Sequence, residues 1–215
     1  MADLRVICLV NGMFAENCYV VADVNSGRAV LIDPGEDAQL FLRTIDEENL
    51  QLEAIWLTHA HIDHIMGVAD VVGATGVDIY LHPADRPLYD GIEQQGAWMG
   101  LRSSIPPPPD RDIVVGETLS VGDLNFGVRF VPGHSPGSVA LVGHGVAFVG
   151  DALFQGSVGR VDLPGGDGAT LLNSIESELL TLPDETVVYS GHGAETTIGA
   201  ERRTNPFLTG AASIV

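Results

Sequence analysis

The chain has 215 residues, 45% of them hydrophobic, which suits one domain with a sizeable core. Its formal net charge is −19, from 29 acidic residues against 10 basic ones, all of them arginine, and so negative a surface argues against nucleic acid as a partner. No apolar run reaches the roughly 18 to 20 residues of a membrane span, and the start Met1-Ala2-Asp3-Leu4-Arg5 lacks the basic-then-apolar pattern of a signal peptide, so a cytoplasmic protein that does not engage a membrane is expected.

In chain order, Leu4 to Val10, Asn17 to Val24 and Arg28 to Ile32 read as strands separated by the turn residues Asn11-Gly12 and Asn25-Ser26-Gly27. Asp33-Pro34-Gly35 stops the third strand, and Glu36-Asp37 puts acid at the start of a helix running to about Glu48, where it complements the helix dipole. Glu53 to Leu57 is the next strand. Gly67 to Ala74 fits a helix ended by Gly76, Val77 to Leu81 a strand, and Pro83 to about Met99 a helical or mixed segment. Trp98 and Met99 are expected in the core, with the mouth of the pocket as the alternative. Pro106 to Pro109 makes a stiff extended loop that cannot join a sheet. Strands follow at Thr118 to Val121, Leu124 to Val131, Ser138 to Val142 and Val146 to Val149, with a tight turn at Gly143-His144-Gly145. Ala169 to Leu180 reads as a helix with Leu171, Ile175 and Leu179 on one face, Thr186 to Tyr189 as a last strand, and Ala194 to Arg203 as a short helix. Arg202 and Arg203 are expected on a solvated helix face. Two groups of strands, each followed by helix, predict two sheets packed face to face with helices outside. Cys8 and Cys18 lack CxxC spacing and read as two buried thiols in a reducing compartment.

The chemistry concentrates at Thr58-His59-Ala60-His61-Ile62-Asp63-His64, directly after the apolar run Ala54 to Leu57; of seven histidines in the chain, three lie here. In extended backbone His59 and His61 point the same way, and a turn into helix would carry Asp63 and His64 toward a second position. Imidazole and carboxylate are ligands for a cation such as zinc, at roughly 2.0 to 2.2 Å. The same local pattern recurs three times: an apolar strand, a glycine, then His134, Asp151 or His192. A polar residue at a strand end, beside a glycine that lets the backbone bend, is how a sheet presents a site at its rim. His82 is expected to pack or support the site, and His144 to lie exposed in its turn.

HAHIDH, PGHSPGS, GDALF and SGHG together resemble the metallo-β-lactamase superfamily with its αβ/βα sandwich. GSVGRVDLPGGD after Asp151 and GHGAETTIGAERRTNPF near the end are similar to the short glyoxalase II-like hydrolases. The resemblance implies a four-layer sandwich in a single domain over residues 1–215, without the helical C-terminal extension through which longer glyoxalase II enzymes help hold glutathione. It also implies two divalent metal ions, zinc first, with iron or manganese also suited. His59, His61 and His134 would hold one ion, Asp63, His64 and His192 the second, and Asp151 would bridge them. The implied activity is hydrolysis of a small-molecule thioester, S-lactoylglutathione or a related acyl thiol, by a monomer or homodimer. Asp63 would serve as ligand and proton acceptor. Persulfide dioxygenases share the fold and motifs but would use one iron on His59, His134 and Asp151; lactone or β-lactam hydrolysis would use the same site. Arg160 either forks onto a substrate carboxylate or pairs with Asp162.

Overall fold

The computed structural model describes residues 3–214. Its chain order is β1 (Leu4–Asn11), β2 (Glu16–Asp23), β3 (Arg28–Ile32), α1 (Ala38–Glu47), β4 (Gln51–Trp56), α2 (Ile62–Ile65), α3 (Val68–Thr75), β5 (Asp78–Leu81), α4 (Arg86–Asp90), α5 (Ile92–Met99), β6 (Arg111–Asp112), β7 (Thr118–Val121), β8 (Leu124–Phe130), β9 (Val139–Gly143), β10 (Val146–Gly150), β11 (Leu153–Phe154), β12 (Ser157–Val158), α6 (Gly168–Ser174), β13 (Val187–Ser190), β14 (Thr196–Thr197) and α7 (Ile198–Thr204). Two six-stranded sheets run in the orders β1-β2-β3-β4-β5-β6 and β14-β13-β10-β9-β8-β7, with β11 and β12 forming a separate ribbon.

Alternation within strands explains the layering. All eight residues of β2 are buried, as a strand covered on both faces must be. Cys18, Val20 and Ala22 point outward to Phe41 and Ile45 of α1 and Val68 and Val71 of α3. Tyr19 and Val21 point inward with Ile32 and Trp56, against Phe126, Val128, Leu141 and Phe148 of the second sheet. Trp56 meets Phe126 edge-on at 6.0 Å, and Tyr19 meets Phe148 at 5.3 Å. On the far side, Ala140, Ala147 and Val188 bury Leu171, Ile175 and Ile198. The order is therefore helix, sheet, sheet, helix, the sandwich expected from the sequence.

Several local expectations change. The stripe after Gly168 is an α-helix only to Ser174 and widens into a π turn at Ile175–Leu179, which still buries Ile175 and Leu179. Pro83 to Met99 divides into a 3₁₀ turn and the two short helices α4 and α5. The stretch after Ala194 first pairs two residues with β13 before turning helical. Trp98 and Met99 are 60% and 37% exposed, because α5 ends at the protein rim rather than under it. Cys8 is exposed and only Cys18 is buried, since they fall on opposite faces of the β1–β2 pair. Arg202 is tied down by Asp184 and by the carbonyls of Leu180 and Leu182, so that helix face is not merely solvated. No helix among the described residues is long and apolar enough to cross a membrane.

Candidate metal centre

The two sheets are joined by hydrogen bonds at one edge, and the site lies there. Asn17 and Tyr19 of β2 reach across: Asn17 N donates to Gly191 O at 2.7 Å, and Tyr19 O–H to Ser190 O at 2.6 Å. Val139 N donates to Thr58 O at 2.9 Å, sewing the start of β9 to the end of β4. The ends of β4, β8, β10 and β13 thereby deliver His59, His134, Asp151 and His192 to one place. His61, in extended backbone, caps α2, whose first turn brings round Asp63 and His64. Two glycines make the convergence possible. Gly150 has φ of +51°, and a side chain there would overlap Thr58; a side chain at Gly191 would overlap Asp151 and His64.

Three sets of ligand-type atoms result, one of them, Asp33 with His59 and His64, drawing on the other two. His59, His61 and His134 form one, Asp63, His64 and His192 another, with the donor atoms of each set within 4.8 Å of one another. Asp151 lies between them: its Oδ1 is 3.4 Å from His64 Nε2, and its Oδ2 is 3.6 Å from His134 Nε2 and 3.5 Å from His192 Nε2. All seven residues expected from the motifs are brought together.

Four of the five rings are turned by a partner behind them. His64 Nδ1 lies 3.1 Å from Asp33 Oδ2. His134 Nδ1 lies 2.8 Å from the Arg160 carbonyl, and His192 Nδ1 lies 3.1 Å from the Phe14 carbonyl. His59 Nδ1 faces Thr58 Oγ, whose own proton goes to Asp33. These acceptors hold a proton on Nδ1 and leave Nε2 facing inward. His61 is reversed: its Nδ1 points inward, 2.7 Å from His134 Nε2. Such outer partners fix tautomer and ring orientation in metal sites.

Asp33 and Asp85 went unmarked in the sequence reading. Asp33 holds the Thr58 amide and hydroxyl as well as His64. Asp85 is fully buried and accepts from Ala60 N, Ser135 Oγ and Gly137 N, clamping the His59–His61 segment to the loop that carries His134. Burial raises its pKa, and those three donors hold it partly back. Asp33-Pro34-Gly35, read as the stop of a strand, and Asp85, inside a segment read as helical or mixed, were the available signals.

The donor set fits cations. Nε2 of His59 and His64 and Oδ1 of Asp151 are buried without a hydrogen-bond partner, an expensive state for groups with nothing to bind. Burial drives His59 well below its ordinary pKa and His61 down to about 3, so both rings are neutral and ligand-ready at neutral pH. For Asp151 burial opposes the charge, but His64 and then His134 outweigh it, and the carboxyl sits below its usual range. For His64 burial again opposes the charge, yet Asp151 and Asp63 raise its pKa well above the ordinary value.

Family comparison agrees with this arrangement: the metallo-β-lactamase superfamily matches residues 11–192. The chain belongs to the metallo-β-lactamase superfamily. It is 39% identical to the hydroxyacylglutathione hydrolase GloC of Haemophilus influenzae, over 91% of this chain and 93% of the relative. The crystal structure of BLEG-1 B3 metallo-β-lactamase superposes with a TM-score of 0.90 at 39% identity, covering 95% of this chain and 100% of that one. The structure of TTHA1623 in a di-iron-bound form gives 0.87 at 45% identity, covering 94% of this chain and 100% of that one. The chain is a metallohydrolase of that superfamily.

Around the ligands a cavity of about 380 Å³ opens to solvent, with Phe14, Met99, Phe154, Val158 and Leu163 among its walls. Met99 takes the second of its two expected places, in this wall. Arg160 points its guanidinium at Asp162, with two contacts of 2.7 Å, and its carbonyl at His134. That pair holds Asp162 at a pKa of about 2. His82 lies tilted against Phe130 at 5.0 Å, and His144 sits in its exposed turn, where it accepts from Asn125 N.

Proposed function

We propose that this chain is a dinuclear metal-dependent hydrolase that cleaves a small-molecule thioester. The observation that carries the reading is Asp151 held between two complete three-residue sets. His59, His61 and His134 would hold one divalent ion and Asp63, His64 and His192 the other, with Asp151 reaching both. Zinc suits the set, and iron and manganese accept the same ligand types. Bound there, such ions supply Lewis acidity and a nucleophilic water at neutral pH.

The residues do the rest. Asp33, the Arg160 carbonyl and the Phe14 carbonyl keep three imidazoles aimed inward, so the donors need no reorganisation when charge develops on the substrate oxygen. Asp63 is ionised, because His64 and His192 overcome its burial, and its Oδ2 is 3.2 Å from His192 Nε2; that oxygen is the proposed proton acceptor. A thiolate leaving group needs little proton help, since thiols ionise near pH 8.5. Neither cysteine is required: Cys8 is exposed on β1, and Cys18 is buried in the outer core.

GloC, 39% identical over most of the chain, is named a hydroxyacylglutathione hydrolase and supports the thioester class. The one-iron persulfide dioxygenase reading would use His59, His134 and Asp151 and leave Asp63, His64 and His192 converging without a role. Elemental analysis of the purified protein, with a thioester panel on the metal-loaded form, is the test. Two ions per chain with thioester turnover, lost in His61→Ala, are expected. One iron per chain with oxygen uptake on glutathione persulfide would replace this reading.

A further inference from the structure

We propose that the pocket selects thioesters whose acyl arm is apolar and whose thiol portion carries no carboxylate; this rests on the thioester-hydrolase reading above. The cavity beside the seven polar residues is walled by Phe14, Met99, Phe154, Val158 and Leu163. These come from four separate parts of the chain: the β1–β2 turn, the end of α5, the β11–β12 ribbon and the loop after it. Phe14 and Met99 stay 39% and 37% exposed at the mouth, apolar surface that a substrate arm would cover. Phe154 stands edge-on to His192 at 6.2 Å, and the Phe14 carbonyl holds the same ring from behind, so the two aromatic residues flank the reacting end.

Charge points the same way. Arg160 is the one cationic residue lining the cavity among the described residues apart from the histidines. One edge of its fork, Nε and Nη2, is taken by Asp162 at 2.7 Å each, and that carboxylate offsets its charge. A glutathione thioester brings two carboxylates and one ammonium. Its carboxylates would approach a chain of net charge −19 and meet, at the cavity, a single guanidinium whose charge Asp162 already offsets. An uncharged, apolar acyl arm loses nothing on entering and gains from burial.

The experiment uses the zinc-loaded full chain with S-acetyl, S-butanoyl and S-hexanoyl N-acetylcysteamine and with S-lactoylglutathione. A fully buried methylene is worth roughly fourfold, and in an open-sided cleft about half that free energy gives roughly twofold each. The four extra methylenes of hexanoyl over acetyl should therefore raise kcat/KM about 16-fold, with S-lactoylglutathione below hexanoyl. Phe154→Ser and Met99→Ser should each flatten that hexanoyl-to-acetyl ratio, and Asp162→Asn, which releases Arg160, should shift the ratio toward S-lactoylglutathione. By calorimetry an S-hexyl thioether should bind more than tenfold tighter than its S-methyl counterpart. Turnover with no chain-length dependence, a preference for S-lactoylglutathione, or equal binding of the two thioethers overturns the selectivity and leaves the thioesterase reading intact. No turnover of any thioester overturns both.

Discussion

Asp85→Ala removes a clamp that touches no ligand atom yet holds two ligand-bearing segments together. In the native fold its carboxylate accepts from Ala60 N at 2.9 Å, Ser135 Oγ at 2.7 Å and Gly137 N at 2.5 Å. The Ser135 hydroxyl can turn to Ser138 Oγ, 2.7 Å away, when the carboxylate is gone. The amides of Ala60 and Gly137 have no such second acceptor in the same buried space. Two stranded buried donors at roughly 1 to 3 kcal/mol each give a loss of about 4 kcal/mol in folding stability. For a chain of this size that lowers Tm by roughly 8 to 16 °C. His61 and His134, whose ring nitrogens lie 2.7 Å apart, then lose the brace between their segments. Removing a supporting partner of this kind typically costs about 10- to 100-fold in metal affinity. Denaturant unfolding of the metal-free variant and zinc titration by competition with a chelating dye measure the two effects separately. A variant within about 1 kcal/mol of the parent, with unchanged zinc affinity, would show that Asp85 does not clamp these loops.

Gly191→Ala places a methyl against Asp151 and His64, both fixed by neighbours, so metal stoichiometry should fall below two per chain and activity should drop by on the order of a hundredfold; normal stoichiometry would refute the close approach. Chelation should lower Tm, and zinc at about a hundredfold excess over its Kd should restore about 2.7 kcal/mol; a melt indifferent to chelator would mean that the cluster holds no ion. Acidification should destabilise the metal-free protein. His61, pushed by burial from 6.5 to about 3, stays neutral in the native state while the unfolded chain takes up a proton, so stability is present above pH 6.5 and lost as pH falls toward 3, by on the order of a few kcal/mol. His64 is raised and acts in the opposite sense: its contribution is full below pH 6.5 and fades at higher pH. A metal-free melting temperature flat from pH 6.5 to 4 would contradict neutral burial of His61.

The ligand types and their home elements are legible in local pattern alone. HAHIDH after an apolar strand is a local pattern: extended spacing puts His59 and His61 together, and a single turn of helix brings Asp63 and His64 round. The apolar strand, glycine and polar residue before His134, Asp151 and His192 mark strand ends in the same way. β-Rich runs and the turn residues between them likewise announced the first strands of the sheet. What stands behind the rings and what walls the pocket emerge only when distant segments pack together. His134 is aimed by the carbonyl of Arg160 and His192 by that of Phe14, 178 positions away. A carbonyl oxygen is the same in every residue, so no side-chain pattern can mark it. Arg160 could have faced substrate or Asp162, and Met99 could have sat in the core or at the mouth. Those outcomes depend on where separate segments come to rest against each other, which side-chain periodicity within any one segment does not encode.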